Sequence, residues 1–192
     1  MQIHKQFFAI VFATIGASVA LPAAAGIVGF NGPYAPGQWA VANTGDAPGS
    51  MSMTPSQMTI IGGDTANGCT GGSAGFAGPC EVTVTSTHIE NTIRFHWEYT
   101  TADSSGDPQY DEFGYLVDGV HFQLSIPAAA FPQSGDVDFA ANSSFGWYIN
   151  CTDCTQGAAT ATITRFAAPE PGSMVLVALG LAGVGLRRRS RR

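Results

Sequence analysis

The chain has 192 residues, a formal charge of −6, only 11% charged side chains and four cysteines. Thirteen of its fourteen acids, but only Arg94 and Arg165 of its eight bases, lie between residues 26 and 168, which leaves that stretch at −11. Such a body repels nucleic acid and anionic lipid, so both are excluded as its partners; solubility alone accounts for the charge, and a divalent cation or a hydrated matrix also suits it.

The chain opens MQIHKQFFAIVFATIGASVALPAAAG. Lys5 begins a weakly positive segment, Phe7 to Leu21 form an apolar run, and Ala23-Ala24-Ala25 supply a small-residue cleavage site. That order predicts a secretory signal peptide over residues 1–25, removed on export. Pro22 and the three alanines argue against a retained signal anchor. Residues 26–168 then form one domain, long enough to bury a core.

Within this body no helical period runs for a helix's length, and turn formers recur every eight to twelve residues or so between β-branched and aromatic runs. The pattern predicts an all-β, antiparallel sandwich with strands near 38–43, 50–54, 57–62, 80–87, 92–100, 113–118, 120–126, 136–140, 145–151 and 159–166. The clearest is 92–100. Ile93, Phe95, Trp97 and Tyr99 fall on one face, and Arg94, His96 and Glu98 on the other. Phe145, Trp147 and Ile149 repeat the alternation, so these two strands are expected to carry the core. Trp39 and Tyr110, outside clear alternation, are candidates for stacking on sugar rings.

Cys69, Cys80, Cys151 and Cys154 form an even set in an exported chain, which predicts two disulfides. Three connectivities are open; Cys69–Cys80 and Cys151–Cys154 each close a local loop. The C-x-x-C of Cys151–Cys154 lacks the following helix that a redox motif uses to lower its thiol pKa. The Gly71-Gly72-Ser73-Ala74-Gly75 stretch matches G-x-S-x-G, but no strand-to-helix turn surrounds it, so Ser73 is not expected to be catalytic. His88, His96 and His121 lack a zinc spacing, and His96 is expected to be plain surface. Glu98 and Asp111 could pose as a glycosidase pair, but two carboxylates in an acidic chain are no evidence of one.

Asp103, Asp107, Asp111 and Glu112 place four carboxylates in ten residues among serine and glycine. Such oxygens suit Ca²⁺, although the spacing is not that of an EF-hand; from this loop alone a solvated acidic turn is the favoured reading. Residues 93–119, IRFHWEYTTADSSGDPQYDEFGYLVDG, resemble the middle of CUB domains. There an aromatic strand leads to an acidic residue, a Tyr-Asp pair (here Tyr110-Asp111) and a strand ending in Asp-Gly (here Asp118-Gly119). Thr152-Asp153 and Gly157 fit the later polar-plus-Asp position. The resemblance implies a jelly-roll or CUB-like sandwich with cysteines paired in sequence order. It also implies a Ca²⁺ site of Asp103, Asp111 and Asp153, with Asp107 an alternative to Asp103.

The chain closes AAPEPGSMVLVALGLAGVGLRRRSRR. Pro169 and Pro171 stop any helix and hold an extended segment. Met174 to Leu186 form 13 uncharged residues; as a helix they reach roughly 20 Å, short of a hydrocarbon core of about 30 Å. Arg187, Arg188, Arg189, Arg191 and Arg192 follow and keep the end cytoplasmic. An uncut anchor and a processed segment both fit this order. Residues 169–192 resemble the PEP-CTERM sorting signal of Gram-negative bacteria. The likeness rests on Pro169-Glu170-Pro171, the short transmembrane-like helix and the arginine-rich end. It implies recognition by an exosortase-type membrane transpeptidase and a transient stay in the inner membrane. Delivery to the cell surface or extracellular matrix follows, often in bacteria that make exopolysaccharide. The expectation is therefore a non-catalytic surface or biofilm-matrix protein that binds polysaccharide or protein with the help of Ca²⁺. The alternative is a secreted hydrolase of extracellular polymer.

Overall fold

The computed structural model describes residues 27–66, 68–69, 80–89, 92–103, 109–127, 131–152 and 154–168. The signal peptide, the sorting segment, Ser73, Asp107 and Asp153 lie outside these residues. Among the described residues there are eleven strands: β1 (Ile27–Val28), β2 (Ala40–Asn43), β3 (Ser50–Thr54), β4 (Gln57–Ile61), β5 (Cys80–Ser86), β6 (Ile93–Thr101), β7 (Asp111–Val117), β8 (Val120–Gln123), β9 (Gln133–Phe139), β10 (Phe145–Cys151) and β11 (Ala159–Ala168). Ten of them match the predicted strands with ends displaced by at most three residues. The unpredicted β1 is two residues long, too short to show alternation.

The strands form two antiparallel sheets. One has the order β3-β4-β11-β6-β9, with β1 also on β11; the other has the order β2-β5-β10-β7-β8. Period-two alternation sends every second side chain into the space between them. The β6 residues Ile93, Phe95, Trp97 and Tyr99 meet Phe145, Trp147 and Ile149 of β10 and Val82 and Val84 of β5 in one buried core. Trp147 is fully buried and its ring lies 5.2–5.3 Å from those of Trp39 and Phe95. Aromatic burial at roughly 1.5–3 kcal/mol per side chain makes this the centre of stability.

Trp39 is therefore a core residue and not a sugar platform. It is 7% exposed, and its indole N–H donates to the Tyr34 carbonyl at 3.0 Å. Tyr34, at the end of the short 3-10 turn Gly32–Tyr34, packs with Trp39 in the same core. Strand β11 carries a bulge: its register with β6 shifts between Thr164 and Ala167, and Arg165 has φ +50°. Thr164 and Arg165 both face outward, so the alternation resets and Phe166 and Ala168 return to the core. Without that extra residue the arginine would point inward.

Candidate functional site

The acidic end of the sandwich is built by three segments. Strand β6 finishes at Thr101, two residues before Asp103. Strand β7 starts at Asp111. Strand β10 ends at Cys151, directly opposite Asp111 in the ladder. Asp111 is 2% exposed and Asp103 is 6% exposed. Thr101 joins them: its hydroxyl donates to Asp111 Oδ2 at 2.6 Å and accepts from the Asp103 backbone N–H at 3.0 Å. The Tyr99 hydroxyl donates to the Asp111 carbonyl at 2.5 Å, which fixes the start of β7 against β6. The Thr152 N–H donates to the Tyr110 carbonyl at 2.7 Å, so the chain just before Asp153 lies at the same end. Two of the three expected Ca²⁺ ligands are thus buried together through one threonine, and the backbone that leads to the third arrives beside them. Tyr110, 36% exposed, stands at the rim.

The other sequence candidates do not converge. Glu98 faces outward from β6 while Asp111 is buried at the start of β7 in the other sheet, so they form no facing pair. His96 does face outward, but it is more than plain surface. Its side chain is 16% exposed and Nδ1 lies 2.9 Å from Asp136 Oδ1. Trp97 and Trp147 are in the core, as their alternation predicts. Both local disulfides are formed, with Cα–Cα separations of 5.8 Å for Cys69–Cys80 and 5.2 Å for Cys151–Cys154.

Two polar clusters escape sequence reasoning because each joins segments far apart in the chain. On the outer face of the β5-β10-β7-β8 side, Tyr148 donates its hydroxyl to Glu112 Oε1. His121 Nε2 lies 2.9 Å from Glu81 Oε2, and its ring packs on Tyr148 at 4.5 Å. Glu81 and His121 stand on β5 and β8, with β10 and β7 between them, so their pairing bridges the face. A Cβ on Gly114 would sit 2.6 Å from the Tyr148 ring and 2.3 Å from the Phe122 carbonyl oxygen, so only glycine lets the ring lie down. Burial first, then the hydrogen bond to Glu112 and the charges of Glu112 and Glu81, push the Tyr148 phenol far above its ordinary range.

The second cluster centres on Asp118. Asp118-Gly119 is the two-residue turn between β7 and β8, with φ of +52° and +82°. Its carboxylate accepts the backbone N–H groups of Asn142, Ser143 and Ser144 at 2.7–3.2 Å, together with the Asn142 amide and the Ser143 hydroxyl. Those bonds, led by the Ser143 N–H, hold the carboxyl well below the usual carboxylate range. The D-G pair signals the hairpin in the sequence. Nothing local signals the 24-residue reach to Asn142.

On the outer face of the other sheet, Arg94, Asp136, Asp138 and Arg165 line a shallow depression of about 330 Å³. Arg94 Nε donates to Asp138 Oδ2 at 2.7 Å, and both side chains are more than half exposed. Among the described residues no helix is long and apolar enough to cross a membrane.

Known proteins locate the chain's tail more firmly than its body. Solved structures similar to it include the CBM4 structure (9% identity, 69% of this chain and 86% of that one, TM-score 0.34). A family 29 carbohydrate-binding module complexed with cellulohexaose is similar over 68% of this chain and 79% of that one (9% identity, TM-score 0.33). So is the N-terminal cellulose-binding domain of Cellulomonas fimi β-1,4-glucanase C (12% identity, 73% and 91%, TM-score 0.31). Likenesses this loose carry no functional weight. No curated protein matches the chain. Residues 167–189 match the PEP-CTERM protein-sorting motif, which implies export, sorting to the cell surface and processing by an exosortase-type membrane enzyme. The chain is thus an all-β sandwich that carries a PEP-CTERM protein-sorting motif.

Proposed function

We propose that the body is a non-catalytic component of the cell surface or extracellular matrix. Ca²⁺ held by Asp103, Asp111 and Asp153 orders its acidic end to bind polysaccharide or a surface protein. The observation that supports this is the burial of Asp103 and Asp111 together through Thr101, where the strand leading to Asp153 also ends. Carboxylate and backbone carbonyl oxygens are the ligands a hard cation takes. The half-exposed Tyr110 beside them offers a ring on which a sugar could stack. The sorting motif adds the setting, because it implies delivery to the cell surface.

Thermal melting tests the metal. Ca²⁺ at a hundredfold over its Kd stabilises a one-site protein by about 2.7 kcal/mol. The midpoint of the wild type should rise with Ca²⁺ and fall back with EGTA. Asp111→Asn should melt at one temperature in both. An unchanged wild-type midpoint would remove the cation from the reading. A glycan array probed with residues 26–168, with and without Ca²⁺, tests the partner; Tyr110→Ala should weaken any signal. Release of reducing ends from a bound polymer would overturn the non-catalytic reading in favour of a secreted hydrolase.

A further inference from the structure

Sheet topology gathers all four cysteines. Cys80 opens β5 and Cys151 closes β10, and the two are direct cross-strand partners. Cys69 is bonded to Cys80, and Cys154 to Cys151. The Sγ atoms of Cys69, Cys80 and Cys154 lie within 4.8 Å of one another. With Ala47 the four cysteines form their own buried cluster, separate from the aromatic core. Two disulfides in an exported domain need only be staples. Here the second stands close enough to the first for a sulfur of one to attack the other after a small shift.

We propose that the four cysteines are a single thiol–disulfide exchange site, in which the C-x-x-C pair passes electrons between an external dithiol and the Cys69–Cys80 bond. Cys151 and Cys154 are themselves 0% and 1% exposed, so in this proposal the dithiol enters as the turn that carries them opens; Thr152 and Gln156 beside them are exposed, whereas Cys80 is fixed in the β5 ladder. The external dithiol reduces Cys151–Cys154 and leaves as its own disulfide. The Cys154 thiolate then attacks Cys80 Sγ. The Cys80–Cys154 bond forms, the Cys69–Cys80 bond breaks, and Cys69 leaves as a thiolate and takes up a proton. Cys151 finally attacks Cys154, reforms the C-x-x-C disulfide and expels Cys80, which is protonated in turn. The sum transfers two electrons and two protons from the dithiol to Cys69 and Cys80. The reverse sequence oxidises them.

The test places one thiol and asks where it goes. Full-length chain bearing Cys151→Ser has a single thiol, at Cys154. After acid quench, alkylation and peptide mapping, part of the alkylated thiol should appear at Cys69, together with a Cys80–Cys154 cross-link. A thiol found solely at Cys154, with Cys69–Cys80 intact, overturns the proposal. A wild-type experiment covers a variant that fails to fold. One equivalent of dithiothreitol is added and thiols are trapped over time. Thiols should appear first at Cys151 and Cys154 and then move to Cys69 and Cys80. Thiols that persist on Cys151 and Cys154 while Cys69–Cys80 stays closed would equally overturn it.

Discussion

On the outer face of the β3-β4-β11-β6-β9 sheet, charged side chains pair with the neighbouring strand and stay wet, as Arg94 does with Asp138. On the outer face of the β2-β5-β10-β7-β8 sheet, charged side chains are drawn over a tyrosine. Glu112 takes the Tyr148 hydroxyl, and Glu81 reaches His121 across two intervening strands. Both faces arise from the same alternation. What differs is one small residue, Gly114, whose missing side chain lets Tyr148 lie flat and be covered. A sheet face turned to water becomes half a core where glycine permits it, and the charges above it then act in a drier setting.

Gly114→Ala breaks this arrangement at its root. The new Cβ would meet backbone oxygen as well as the ring, so a loss of about 1–3 kcal/mol is expected, read as a lower melting midpoint. Tyr148→Phe keeps the ring and removes only the hydroxyl. It should cost about 1–2 kcal/mol because it strips a donor from a half-buried carboxylate. Arg94→Ala on the opposite face removes a geometrically good but exposed pair. Its cost should be below about 1 kcal/mol and should fade in high salt. Equal losses for Tyr148→Phe and Arg94→Ala would erase the contrast between the faces.

Asp118→Asn sharpens the contrast through pH. Asp118 is exposed, yet its carboxyl is depressed by a ring of donors. A depressed carboxyl contributes stability above its unfolded value that is lost as pH falls toward the folded one. The gap in melting midpoint between wild type and Asp118→Asn should be constant at neutral pH, begin to narrow below about pH 4 and go on narrowing into stronger acid. A gap that persists unchanged into strong acid would mean that the carboxylate is not what the three N–H groups hold.

The sandwich was legible in the sequence because its strands advertise themselves locally. Ile93-Arg94-Phe95-His96-Trp97-Glu98-Tyr99 states its own burial pattern, and the observed pattern follows it. The β11 bulge was not legible, since one extra residue at Arg165 merely looks like a strand that ends early. Trp39 was misplaced for a related reason: it precedes β2 without alternation, and only folding brings Trp147 beside it. At the acidic end, the carboxylates could be found from composition, but the link that Thr101 makes between the Asp111 carboxylate and the Asp103 backbone N–H depends on where β6 stops. The sulfur cluster depends on β5 lying beside β10, a pairing between residues some seventy positions apart. In the tail, by contrast, the sorting motif is a linear signal, so residue order alone carried it.

Equilibrium dialysis of the purified protein against Ca²⁺, with the bound metal quantified, bears most directly on the proposed function. One Ca²⁺ per chain for the wild type, and none for Asp111→Asn that still melts cooperatively, is the predicted result. A wild type that retains no Ca²⁺ above background would contradict it.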